Sequence, residues 1–183
     1  MMAFHRGQTD VLAAHLRSDP SLIQRRFSYR DIYSTELGCA DDGRSGMHGT
    51  PIAGTTLLHL AIDFHECEIF DLLFAQGADV NARAEVDAFG FGGHTPLFNG
   101  VVGPGIPSDG DGSMVRTLLE RGAVPTLRAS LRKFLDWREE PGWHEANNVT
   151  PREWGRGVSG ARLSEPADGE PVSDAVMMSA VPG

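Results

Sequence analysis

Thr56-Leu57-Leu58-His59-Leu60-Ala61 opens a segment that closes with Gly77-Ala78-Asp79-Val80-Asn81, 21 residues further on. Between the two lies an apolar pattern: Leu58, Ala61 and Ile62, then Ile69, Phe70, Leu73 and Phe74. Positions three and four apart share one helical face, so the pattern predicts two short amphipathic helices ended by a glycine. A helix pair of this size cannot bury its apolar face alone. It reads as one unit of a stacking repeat.

The same frame recurs downstream. Thr95-Pro96-Leu97-Phe98-Asn99-Gly100 opens a second copy that closes at Gly122-Ala123. Val101 and Val102 extend its first helix, and Met114, Val115, Leu118 and Leu119 form the stripe of its second. The Gly- and Pro-rich run from Gly103 to Gly112 cannot be helical and falls between the two. A third copy, Thr150-Pro151-Arg152-Glu153-Trp154-Gly155, has room only for its opening helix. At the N-terminus, Gly7 to Leu16 reads as a second helix closed by Asp19-Pro20.

On these residues the chain resembles the ankyrin-repeat family, whose signature is Thr-Pro-Leu-His-x-Ala in a unit of about 33 residues. The resemblance covers about residues 1–27, 54–84, 93–127 and 147–156, and implies an all-α ankyrin-repeat solenoid of about three and a half helix-turn-helix units within a single domain, 1–155. The remaining stretch, 156–183, is rich in Gly and Pro and reads as a mobile tail. Its weak stripe of Val172, Ala175, Val176 and Ala180 suits either the last unit or a partner. The expected core is Val11, Leu12, Leu16, Leu58, Ala61, Ile62, Ile69, Phe70, Leu73, Leu97, Val101, Val115, Leu118 and Leu119.

The resemblance also assigns local roles. Thr56, Thr95 and Thr150 cap the first helices of their units, and Pro at the next position suits a first turn that needs no donor. His59 matches the family histidine that hydrogen-bonds between units. Phe98 stands at the equivalent position of the second copy, where apolar packing takes over. Gly77 and Gly122 end their helices in the left-handed conformation.

The connections between units are long. From each closing residue to the next Thr there are 37, 18 and 28 residues, where a unit of about 33 leaves about 12. The family carries projecting hairpin fingers there, so 28–53, 85–93 and 128–148 are the segments most free to define function. The first mixes aromatic and charged residues and ends in Met47-His48-Gly49-Thr50-Pro51. The second is Phe89-Gly90-Phe91-Gly92-Gly93-His94, whose glycines lack the order of a nucleotide-binding loop. His94 precedes the Thr95 cap, where it suits stacking on a neighbouring unit. In the third, Leu127, Leu131, Phe134, Leu135 and Trp137 recur at about helical spacing. Arg128, Arg132, Lys133 and Arg138 line the other side, and Pro141-Gly142 stops the helix.

Net charge is −9, from 16 basic and 25 acidic residues. Nucleic-acid binding rests on clustered Lys and Arg, so this balance argues against it. It suits solubility first, and a basic protein partner second. Two scattered cysteines, Cys39 and Cys67, make no disulfide framework, and no apolar run reaches the length of a membrane span or a secretion signal. A cytoplasmic setting with no cofactor is the expectation.

The leading functional reading is non-catalytic protein recognition by the concave face and the fingers. The residues expected to touch the partner are Tyr29, Asp31, Tyr33, Glu36, Phe89, Phe91 and Trp143. The alternative is an enzyme or metal-binding protein with its site in 28–53, drawing on Asp31, Glu36, Asp41, Asp42, His48 and His94. Asp63-Phe64-His65-Glu66-Cys67-Glu68 has metal-binding residue types, but its register makes it the turn between two helices.

Overall fold

The computed structural model describes residues 8–33, 50–102, 113–135 and 141–160. The elements, in chain order, are α1 (Thr9–Ser18), a 3-10 turn (Pro20–Ile23), α2 (Tyr29–Ile32), α3 (Leu57–Asp63), α4 (Cys67–Ala75), α5 (Pro96–Gly100), α6 (Ser113–Glu120), β1 (Ala129–Leu135), β2 (Gly142–Val149) and α7 (Pro151–Gly160). The short α3 is buried on every side, which is why it reads Leu-Leu-His-Leu-Ala-Ile without a polar face. It packs against α4 and α5; α4 also meets α1, and α5 meets α6 and α7. α4 keeps a polar side and buries Ile69, Phe70 and Leu73, one helical stripe.

Both helix pairs end as their glycines predict. Gly77 N–H bonds Phe74 O and Ala78 N–H bonds Leu73 O, with Gly77 at φ 82°. Gly122 and Ala123 repeat the arrangement on Leu119 and Leu118, with Gly122 at φ 89°. This double closure satisfies carbonyls that the last helical turn leaves open. The end of α3 uses the same motif with His65 at φ 57° in the glycine position: His65 N–H bonds Ile62 O and Glu66 N–H bonds Ala61 O. The segment from Asp63 to Glu68 is therefore a tight connection between helices.

An all-α fold is overturned by β1 and β2, which pair antiparallel; the architecture is mixed, helices plus a hairpin. The helix expected from residue 127 onward is a strand. Ala129, Leu131, Lys133 and Leu135 are buried in strict alternation, while Ser130, Arg132 and Phe134 face outward. Apolar residues at 127, 131 and 135 satisfy a helical spacing as well as a period of two, and Phe134 fits only the helical one. Pairing with 142–149 decides between them, because a strand with a partner satisfies its backbone. β2 carries an extra residue between the Ala129–Val149 and Leu131–Ala146 pairs, and Asn148 takes a positive φ of 52° there. Trp137 and Arg138 lie outside the described residues, as do Cys39, the stretch 34–49 and the tail beyond Gly160. α7 itself runs into the stretch read as tail.

The core contains the expected residues with two corrections. Val11 is exposed, and Leu119 only partly buried, because each sits at the rim of its helix stripe. Trp154, Phe98, Ile32, Leu60 and Leu131 are fully buried and complete the packing. Trp154 Nε1 donates to Thr50 Oγ1 at 3.0 Å, and Thr50 Oγ1 donates to Phe98 O at 3.1 Å. The indole of α7 is thus fixed to the segment before α3 and to the backbone of α5. Among the described residues, no helix is long and apolar enough to cross a membrane.

Candidate functional site

The finger 85–93 is a tight hairpin built on Asp87. Asp87 N–H bonds Phe91 O, and Gly90 N–H bonds Asp87 O. Asp87 Oδ1 accepts from Phe89 N at 2.8 Å and from Phe91 N at 3.0 Å, the short-range bonding that makes Asp a turn residue. Gly92 then crosses to the next element: its N–H bonds Ser130 O on β1 at 2.7 Å. At φ 129°, with a Cβ position only 1.9 Å from Glu85 O, no other residue fits there. The finger and the β1–β2 hairpin therefore form one continuous surface.

Arg132 organises the outer face of that surface. Its guanidinium lies 4.5 Å from the ring centre of Phe89, 5.1 Å from that of Phe91 and 5.7 Å from that of Trp143. Its Nη2 pairs with Asp87 Oδ2 at 2.8 Å. Trp143 meets Phe134 edge to face at 5.6 Å, as cross-strand partners in the β1–β2 register. Slight burial pushes the Asp87 carboxyl up, but the bonds from Phe91 and Phe89 and the charge of Arg132 outweigh it and hold the group below its ordinary value. Despite this framework the rings of Phe89 and Trp143 stay open to solvent. Phe89 is 75% exposed and Trp143 52%, with Val86 beside them at 60%.

The residues expected at the site thus fall into two groups. Phe89, Phe91 and Trp143 meet around Arg132. Tyr29 and Tyr33 pair with each other at 5.1 Å on and beside α2, and Tyr33 packs edge-on to Phe64 at 6.4 Å. Asp31 is a capping residue: its Oδ2 accepts from Ser28 N and from Ser28 Oγ, each at 2.8 Å. These bonds, with help from Arg25, hold its carboxyl below the usual value against slight burial. Glu36 lies outside the described residues. Arg132 and Asp87 are missing from the sequence expectation, although Asp87 sits two residues before a Phe-Gly-Phe-Gly turn, where an aspartate often accepts from the backbone.

The buried histidines have structural partners. His59 Nε2 donates to His94 O at 3.2 Å, so its Nδ1 is the acceptor, 2.9 Å from Thr56 Oγ1 and 3.3 Å from Thr56 N. His94 Nε2 donates to Pro51 O at 3.0 Å, and its ring meets His59 edge to face at 5.5 Å. Burial pushes both below the ordinary histidine value, His94 to about 4 and His59 well down, so both are neutral near pH 7. Of the residues weighed for chemistry in 28–53, Asp31 is committed to its cap, and Glu36, Asp41, Asp42 and His48 lie outside the described residues. Among the described residues, no group of three or more His, Cys, Asp or Glu side chains is placed to hold a metal.

A search of curated proteins finds no match for this chain. The family model for the ankyrin repeat matches residues 53–85, which comprise α3, α4, the Gly77 closure and the approach to the finger. By that match, and by the Thr56–His59 cap and glycine-closed helix pair within it, residues 53–85 form an ankyrin repeat.

Proposed function

We propose that this chain is a non-catalytic recognition protein that grips its partner with the face shared by the 85–93 finger and the β1–β2 hairpin. Ankyrin repeats are protein–protein interaction modules. What supports the particular face is the exposure of Phe89 and Trp143 on a framework held by one arginine. Large aromatics fixed in place lose little conformational freedom on binding, which is why they anchor interfaces. Tyr29 and Tyr33 form a second edge of the same recognition surface, with the concave side of the helix pairs. Net charge of −9 favours a basic partner, steered over a distance of about 8 Å at physiological salt.

The test is affinity capture from a native lysate, with wild type beside Phe89→Ser/Trp143→Ser and Tyr29→Ser/Tyr33→Ser. Far-ultraviolet circular dichroism of each variant checks that it is folded. A partner held by wild type and lost by the first pair is the expected result. Partners retained equally by both folded double variants would remove this face from consideration.

A further inference from the structure

On the outer face of the hairpin one cation among the described residues, Arg132, neighbours two carboxylates, Asp87 of the finger and Glu145 of β2. Arg132 stands opposite Glu145 in the β1–β2 register, yet its ion pair is made with Asp87 on the finger. Glu145 is exposed and, among the described residues, has no ion pair. Trp143 lies two residues before it on β2, on the same face and about 7 Å away along the strand. An open indole beside an unpaired carboxylate is a pair of groups that a planar cation satisfies together.

Resting on the recognition function proposed above, we propose that this face seats an arginine side chain of the partner, with its guanidinium stacked on Trp143 and hydrogen-bonded to Glu145. Three features select this occupant. A purely apolar guest would have to desolvate the Arg132–Asp87 pair without returning a charge, which is costly. An acidic guest meets Glu145, Asp87 and the overall charge of −9. Arginine is preferred to lysine because a guanidinium is flat, is weakly hydrated and presents a fork that a carboxylate accepts in two places. Arg132 already shows the mode within the molecule, set over Phe89 with its charge on Asp87.

The probe is a short synthetic peptide alternating glycine and arginine, compared with its lysine and glutamate counterparts. Binding is read from the indole N–H resonance of Trp143, assigned by its disappearance in Trp143→Phe. The expected result is a saturable shift with the arginine peptide, weaker with lysine and absent with glutamate. Glu145→Gln weakens the arginine peptide by about 2- to 5-fold, the size of an exposed ion pair, and added salt weakens it further. Trp143→Leu, followed by the resonances of β1, weakens it by a similar factor of about 2 to 5. No saturable shift at about 10 mM peptide, near the weakest measurable binding, overturns the inference. So does an equal response to the glutamate peptide or indifference to Glu145→Gln. A cellular partner whose measured affinity falls on Trp143→Ser but is unchanged by Glu145→Gln also overturns it, and leaves the recognition function standing.

Discussion

At the scale of single residues, His94 shows how burial turns a titratable group into a pH-dependent structural part. The ring is almost wholly buried and neutral, with its one proton on Nε2 committed to Pro51 O. Its folded value of about 4 lies below the ordinary 6.5, so between those limits the unfolded chain binds a proton that the folded chain refuses. Stability is complete above pH 6.5 and is lost as pH falls toward 4, by up to about 1.4 kcal/mol per pH unit from this group. His59 is displaced in the same direction by the same cause and carries the loss further down. Urea unfolding of wild type should therefore give a midpoint that drops steadily from about pH 6.5 to about 4.5. His94→Gln keeps an N–H donor for Pro51 O and cannot titrate, so its midpoint should drop less steeply over that interval. Identical slopes would mean that the acid sensitivity comes from the carboxylates alone. The histidine's role as a link before Thr95 is legible from its position. Its partner Pro51 is not, because 43 residues separate them.

At the scale of elements, the helix pair 57–75 is legible because the stripe of its second helix repeats at one period only and its cap and closing glycine bound the pair. The stretch 129–135 is ambiguous for a physical reason. Lys133 occupies an inward position, so the alternation that marks a strand is broken just where a helical reading places a cation on its polar side. The deciding interactions, with 142–149 and with Gly92, are tertiary. The finger is a similar case: three aromatics meet around Arg132 only because two separate hairpins share the bond from Gly92 to Ser130 O. The two finger glycines accordingly differ in what they tolerate. At Gly90, with φ 86°, a Cβ would meet nothing within 4 Å, so Gly90→Ala should cost about 1 kcal/mol, the strain of a left-handed alanine. Gly92→Ala drives a methyl into Glu85 O and should detach the finger from β1, at a cost of about 3 kcal/mol or more. Thermal melting of the two variants, with amide exchange at Phe91 and Ser130, separates the effects. Equal melting temperatures would show that the finger is not seated as described.

At the scale of the molecule, three arginines carry one segment's backbone to the next. Arg26 Nε donates to Arg83 O at 2.7 Å, and Arg83 Nη1 donates to Gly93 O at 2.7 Å and to Arg128 O at 2.8 Å. Arg128 Nη1 in turn reaches Asn148 O and lies 3.2 Å from Glu153 Oε2 on α7. Each arginine sits where a finger begins, so the helix pairs are tied along their finger edge as well as through the core. These ties involve single polar side chains at unequal spacings, which is why no periodicity reveals them. Arg83 is the central member and the one whose loss should be felt at a distance. Arg83→Met keeps an apolar stem of similar length and removes both bonds, leaving two carbonyls without their charged donor. A loss of about 2 kcal/mol is expected from charge-assisted bonds of this kind. It should not be spread evenly: amide exchange should quicken at Gly92 and along β1, while α3 and α4, held by Leu58, Ile62, Ile69 and Leu73, keep their protection. Uniform acceleration through α3 and α4 would mean that the chain opens as one unit and that the arginines add nothing beyond the core. Slow exchange confined to the helices would instead make the finger–hairpin face a separately opening part, whose closure depends on the Arg83 bonds to Gly93 O and Arg128 O.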